Sequence, residues 1–229
     1  MGTMTIEQFT SELNFLLGNR TDADAVDGTR TARWIHQGYT YMCHPSVHRF
    51  REMQAISNAT TLVSGTNEYS IATIGSDSVV ALRFVIHVAA TAYTPTATKQ
   101  KLDPRGIRWF EQRTLTTGRP FLYTIDGSSL FVSGVPGSTE NGQLLRIGYY
   151  KEPTAMVASG TTVLGAYYDR PLMKFALAFA ESDLGDRAKA LVTIKEAAGL
   201  LNNATDENEL EAEDDGFRTE VILHSAMGF

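Results

Sequence analysis

The sequence predicts an α+β protein: a helical body formed by both chain ends, an inserted and mainly antiparallel β domain, and an extended C-terminal arm. Three observations support this fold class. Apolar residues recur at helical spacing near both ends, short strand-like runs separated by turn residues lie between them, and acidic residues crowd the C-terminus. The predicted segments are residues 1–50 (N-terminal part of the body), 51–164 (β insert), 165–204 (C-terminal helices of the body) and 205–229 (acidic linker and docking arm).

Two helices are predicted in the first segment. Thr5 to Leu17 has capping-box spacing between its first residue and Gln8, and Gly18-Asn19 supplies the stop. A second helix begins near Thr21, whose hydroxyl can cap the first turn, and ends at Pro45. We expect both helices to pack against those of the other chain end.

The β insert begins near Arg51, where Thr, Val, Ile and Tyr become frequent and turn residues recur. Asp126-Gly127 between two alternating runs predicts a hairpin, and Pro104 to Thr114 is predicted as a short helix anchored by Trp109 and Phe110. The predicted strands are Thr61 to Val63, Glu68 to Ile71, Val79 to Val88, Phe121 to Ile125, Ser129 to Ser133 and Gln143 to Tyr150.

Helical spacing returns after Asp169, with a break expected at Gly185 and an end at Asn202-Asn203. Asp206 to Asp215 carries seven acidic residues and little to bury, so we expect an extended, solvated linker. An apolar tip follows, and the sequence leaves open whether it folds back onto the core or docks on another subunit. The apolar residues of this predicted docking arm are Phe217, Val221, Ile222, Leu223, Met227 and Phe229.

Charge is unevenly distributed along the chain. The formal net charge is -6, and Thr205 to Phe229 contributes -7 through eight acidic residues and Arg218, so the remainder is near +1. Within that remainder lies a basic stretch that is either an ordinary exposed loop or a surface facing DNA phosphates. Its candidate DNA-channel contacts are Lys99, Lys101, Arg105, Arg108, Arg113 and Arg119.

Familiar catalytic motifs do not occur in the sequence. It contains no phosphate-binding glycine loop ending in Lys-Ser or Lys-Thr, no His-Glu-x-x-His and no Gly-x-Ser-x-Gly, so we expect no enzymatic activity, no catalytic residues and no cofactor. Cys43, His44 and His48 are the nearest approach to a metal site, but Pro45 interrupts their helix, and a helix terminus is the favoured interpretation. The single cysteine and the lack of a long apolar run predict folding in a reducing cytoplasm without a membrane span.

Four strings, in this order along the chain, carry a family resemblance. They are Trp34-Ile35-His36-Gln37-Gly38-Tyr39, Gly118-Arg119-Pro120-Phe121-Leu122-Tyr123, Leu145-Arg146-Ile147-Gly148-Tyr149-Tyr150-Lys151-Glu152-Pro153, and Phe179-Ala180 through Leu184-Gly185-Asp186 to Lys189-Ala190. Together they resemble the second helix, the hairpin, the returning strand and the interrupted last helix of bacteriophage head-to-tail adaptor proteins, which complete the head beneath the portal.

The resemblance implies a structural virion protein of the phage neck, assembled in the host cytoplasm. It implies a dodecameric ring that binds the portal through its C-terminal arm, joins it to tail or nozzle proteins, and encloses the DNA exit channel in the last stage of genome packaging. The implied partners are the portal, the tail proteins, other copies of the chain and, non-specifically, genomic DNA, with no membrane. Another tail or baseplate connector and a β-rich ligand-binding module remain as alternatives.

Overall fold

In the computed structural model of this protein, residues 4–18, 28–75, 78–154 and 161–211 are described. The chain divides into two compact units, and the predicted α+β class is confirmed. The helical unit comprises Met1–Glu52 and Pro153–Phe229, and the sheet unit comprises Met53–Glu152. The α-helices of the helical unit are α1 Ile6–Leu16, α2 Gly28–Met42, α4 Asp169–Asp183 and α5 Arg187–Glu211. The short helix α3, Ile107–Glu111, belongs to the sheet unit.

The sheet unit ends twelve residues before Leu164, where the sequence placed the end of the insert. Residues that follow the boundary bond within the helical unit instead. Thr161 forms an antiparallel bridge with Thr5, and the Val163 backbone N–H donates to the Tyr39 hydroxyl at 3.3 Å. These contacts show that the segment before α4 belongs to the helical unit and not to the sheet unit.

The first helix forms as its sequence predicts. The Gln8 backbone N–H donates to the Thr5 hydroxyl at 3.3 Å, and the Thr5 N–H donates to the Gln8 side-chain oxygen at 2.8 Å, which completes the capping box. Phe9 and Leu13 bury the inner face of α1. The predicted start of the second helix near Thr21 lies outside the described residues, and the described part of α2 ends at Met42.

Helix α4 is the central element of the helical unit and packs against both α2 and α5. Leu172, Phe175 and Ala176 are fully buried, as expected from their helical spacing. The predicted break at Gly185 is confirmed, since its φ of +94° lies in the left-handed region that favours glycine. Asp186 then caps α5 by accepting the Lys189 N–H at 3.1 Å.

The predicted end of the last helix is wrong. Helix α5 continues past Asn202-Asn203 to Glu211, so residues 206–211 are helical and not an extended linker. The apolar repeat continues beyond the asparagines, because Leu201 and Ala204 are buried and a helical asparagine costs only some tenths of a kcal/mol. The docking arm lies outside the described residues.

The sheet unit is built on seven strands in the order β1-β7-β3-β4-β5-β6-β2. They are β1 Gln54–Thr61, β2 Glu68–Ser70, β3 Val79–Val88, β4 Lys99–Pro104, β5 Leu122–Asp126, β6 Ser129–Val132 and β7 Leu144–Lys151. The pair β4 and β5 is parallel, and the other pairs are antiparallel. The sheet core is centred on fully buried Val85, Leu102, Leu130, Leu145 and Ile147.

Five of the six predicted strands are confirmed within a residue or two, as is the hairpin at Asp126-Gly127, where Gly127 has a φ of +55°. The strand predicted at Thr61 to Val63 is wrong, because the chain pairs with β7 mainly before Thr61. Strand β4 was not predicted at all. Strands β1 and β4 are both rich in polar residues, so their sequences do not show the apolar-polar alternation that is typical of a half-buried strand.

Candidate functional site

The helical unit uses its most distinctive side chains for internal packing. A β-carbon on Gly38 would lie 2.7 Å from the backbone nitrogen of Ala176, so α2 crosses α4 at a point where only glycine fits without a shift. Trp34 is fully buried, and its indole nitrogen donates to the Asp183 carboxylate at 3.1 Å. These positions from the first and last family-like strings therefore hold the helices together.

The turn between α4 and α5 is held by a buried carboxylate. Glu181 is only 3% exposed; one of its oxygens accepts the Thr193 hydroxyl at 2.6 Å, and the other lies 2.9 Å from the Lys189 ammonium. Asp183, at the end of α4, pairs with the Arg33 guanidinium at 2.8 Å. The acidic residues around the break are thus structural, and Asp183 and Asp186 do not form a pair suited to acid-base chemistry.

Cys43, His44 and His48 form the turn that follows α2. Cys43 is buried and burial raises the pKa of its thiol, while burial lowers the pKa of His48 to about 4. The His44 ring nitrogen Nδ1 contacts the Ser46 hydroxyl at 2.6 Å. Across residues 4–18, 28–75, 78–154 and 161–211, no group of three or more His, Cys, Asp or Glu side chains could hold a metal ion.

The sheet unit places part of the basic stretch beside an aromatic ring. The Tyr93 ring lies 4.8 Å from the Lys99 ammonium and 3.8 Å from the Arg146 guanidinium, which are distances for cation-π contacts. Lys101 pairs with Ile86, which pairs with Arg146 on the next strand, so the two cations share one face about 10 Å apart. We call Tyr93, Lys99, Lys101 and Arg146 the basic patch.

The other basic residues occupy different surroundings. Arg105 and Arg108 are exposed around α3, and the Arg113 guanidinium lies 4.8 Å from the Trp109 ring centre. The six cations predicted as one stretch therefore fall into separate sets. Of these six predicted cations, only Lys99 and Lys101 belong to the basic patch.

Arg119 is tied to a buried histidine. Its Nε–H donates to Nδ1 of His87 at 2.9 Å, and Nε2 of His87 lies 2.7 Å from the Gln143 side-chain oxygen. These partners fit a neutral imidazole that carries its proton on Nε2. Burial lowers the pKa of His87, and the adjacent Arg119 charge lowers it further. One nitrogen of Arg119 is therefore committed inside the sheet unit.

Tyr93 and Arg146 are the members of the basic patch that the sequence did not single out. Arg146 is remote from the basic stretch in sequence, and the register of β3, β4 and β7 brings it there. Alternation along the predicted strand Gln143 to Tyr150 could have placed Arg146 on the outer face of the sheet. Its proximity to Lys101 could be predicted only if β4 were also recognised as a strand, because β4 lies next to β3 and β3 lies next to β7. The predicted docking-arm residues lie beyond the described part of the chain.

No helix in the described part of the chain is long and apolar enough to cross a membrane. Comparison with known families gives one match, to the family described as SU10 adaptor protein, over residues 4–219. No curated protein matches the sequence. The family match covers both the helical and the sheet unit.

Proposed function

This chain belongs to the SU10 adaptor protein family, a family of phage head-to-tail adaptors, and we propose that it forms a ring that joins the portal to the tail and encloses the DNA exit channel. The single observation that carries this proposal is the family match over residues 4–219. The ring would contain twelve copies and lie in the virion neck after assembly in the host cytoplasm. The role requires surface complementarity and no catalytic group.

The two units suit different parts of this role. A closed ring needs two different surfaces on each copy, held in a fixed geometry, because each copy contacts its neighbours head to tail. The buried bonds of Trp34 and Glu181 fix the helical unit and supply such a frame. The sheet unit presents the basic patch and exposed apolar residues, which are groups that partners can contact.

The C-terminal segment after α5 is the proposed portal-binding arm. Its apolar residues, among them Phe217, Met227 and Phe229, follow an acidic run that has little to bury. Ordering such a segment on binding costs entropy, but twelve arms acting on one portal would offset that cost through avidity. Because α5 is helical up to Glu211, the last described residue, we assign the arm to residues 212–229.

Deletion of residues 212–229 tests this assignment. We expect the shortened protein to keep its thermal unfolding temperature, since α5 stays whole, and to lose at least tenfold in portal binding in a pull-down. A variant with the same eighteen residues in scrambled order is the matched control for length and charge, and it should bind as weakly as the deletion. Portal affinity retained by either variant would contradict the arm assignment.

We further propose that the basic patch faces DNA in the channel. Lys99 and Lys101 are exposed, and Arg146 adds a third cation on the same side of the sheet. Cations placed in this way attract phosphates without reading sequence, which suits a channel through which any DNA must pass. Tyr93 fixes two of the three cations by cation-π contact, which lowers the entropy they would lose on binding.

A further inference from the structure

A groove of about 570 Å³ opens on the sheet unit between the first half of β3 and the hairpin of β5 and β6. Val79, Val80, Ala81 and Leu82 of β3 line it, together with Ile125, Gly127 and Ser128 of the hairpin and with residues of the segment between β2 and β3, among them Ile71 and Gly75. None of its described lining residues carries a charge. The groove is thus an apolar slot in the surface of the sheet.

The two strands that border this groove lack a neighbour on the side that faces it. Strand β4 pairs with β3 only at residues 85–88, so among the described residues the first half of β3 pairs with β7 alone. Strand β4 then leaves β3 and pairs with β5 only at Leu122 and Tyr123, so the end of β5 pairs with β6 alone. Within the described part of the chain, the slot therefore lies between two strand edges that have no ladder partner there.

Free strand edges bind extended peptides, because their unpaired backbone groups can complete a hydrogen-bond ladder. Residues 79–82 would offer a ladder of about 10 Å, which suits an added strand of three or four residues. Val80 and Ile125, which are 37% and 41% exposed, supply apolar contacts at the two borders. Their exposure leaves surface that an incoming strand would cover.

We propose that residues 220–224 of a second copy of this chain add to the groove as a strand. This segment reads Glu-Val-Ile-Leu-His, with three consecutive apolar residues that favour or tolerate strands, between two polar ones. Its three central apolar residues fit the three or four positions that residues 79–82 offer, and they suit a slot whose described lining residues are uncharged. The inference rests on the proposed ring, because the ring places a second copy within reach.

The length of chain between the described part of α5 and this segment limits how far the segment can reach. Nine residues from Glu211 to Glu220 span at most about 30 Å when extended. The contact is head to tail, since the strand of one copy enters the groove of the next, and such contacts can close a ring. It divides the arm: Val221, Ile222 and Leu223 bind the neighbouring copy, while Phe217, Met227 and Phe229 remain for the portal.

Disulfide trapping between two variants tests the proposal. A Val80→Cys variant and an Ile222→Cys variant are mixed in equal amounts, both as concentrated free protein and as assemblies purified on portal, and then oxidised. We expect a disulfide-linked dimer of the two variants, at least tenfold more abundant than with Val63→Cys in place of Val80→Cys. Val63 is a matched control, because it is an exposed valine of the same unit outside the groove.

Native Cys43 does not interfere, because it is buried and its pKa is raised. Equal yields with the groove and the control cysteine would overturn the proposal. So would a disulfide that forms only within single chains of a Val80→Cys/Ile222→Cys double variant, since the segment would then occupy its own chain. Failure to bind portal would instead contradict the proposed function, and trapping in the free protein would still decide the strand contact.

Discussion

The helical unit and the sheet unit differ in what their polar and aromatic side chains do. In the helical unit, Trp34 of α2 donates to Asp183 of α4, and Glu181 of α4 accepts from Thr193 of α5. In the sheet unit, Tyr93 and Arg146 meet at the surface, and a groove separates two strand edges that have no ladder partner in the described part of the chain. Both units also expose large apolar side chains, such as Phe15 in the helical unit and Ile56 in the sheet unit, so the difference lies in the polar and charged groups.

The glycines of the family-like strings show the same contrast. Gly38 faces backbone, since an added β-carbon would lie 2.7 Å from a nitrogen of α4. Gly148 of β7 faces only the ring of Phe84, which a β-carbon would meet at 2.3 Å. A ring can rotate away, whereas two packed helices must separate. Gly38 is therefore the less tolerant of these two positions.

The largest expected effect is the loss of stability in acid through His48. Burial holds the folded-state pKa of His48 at about 4, below the ordinary value of 6.5. The stability that comes from burying the neutral imidazole is therefore fully present above pH 6.5 and is lost as the pH falls to 4. Between pH 7 and pH 4 this amounts to about 3 kcal/mol of unfolding free energy. Urea unfolding at both pH values, for the native chain and His48→Gln, measures the difference.

Other groups titrate in both proteins and cancel from that difference. Burial raises the pKa of Asp169, which works in the opposite direction and favours the folded state as the pH falls. Equal acid losses in the native chain and in His48→Gln would show that His48 is not the source of the acid sensitivity.

A smaller effect is expected from alanine at three glycines. Gly38→Ala should lower the unfolding free energy by about 2 kcal/mol, because overpacking a rigid crossing costs that much. Gly199→Ala is the matched control in α5, with nothing within 4 Å of its added β-carbon, and should stabilise by up to about 1 kcal/mol. Gly148→Ala should fall between them. Chemical denaturation that ranks Gly38→Ala level with Gly148→Ala would remove the contrast between these two positions, and ranking Gly38→Ala level with Gly199→Ala would show that the crossing of α2 and α4 is not tightly packed.

The smallest effect on stability, within about 0.5 kcal/mol, is expected from charge reversal of exposed cations. Lys99→Glu with Lys101→Glu should lower the salt dependence of DNA binding by about one phosphate contact for each residue. Arg105→Glu with Arg108→Glu is a control of equal charge change outside the basic patch, and its effect should be smaller. If the two double variants changed the salt dependence of DNA binding equally, the basic patch would have no special role in binding DNA.

Much of the fold follows from local sequence, and the site follows from it much less. The capping box at Thr5 and the break at Gly185 depend on neighbouring residues and were predictable. Strand β4 was hidden by its charges, and the meeting of Tyr93, Lys99 and Arg146 depends on the register of three strands, which no local pattern fixes. The continuation of α5 past Asn202-Asn203 likewise depends on tertiary packing, which buries Leu201 and Ala204.

Electron cryomicroscopy of the full chain bound to its portal is the most direct test of the adaptor role. We expect a closed ring of twelve copies on the portal axis, with the basic patch facing the channel and the C-terminal segment of each copy in contact with the portal. Full-length protein that leaves the portal bare, or that binds it as scattered single copies without a ring, would contradict the account.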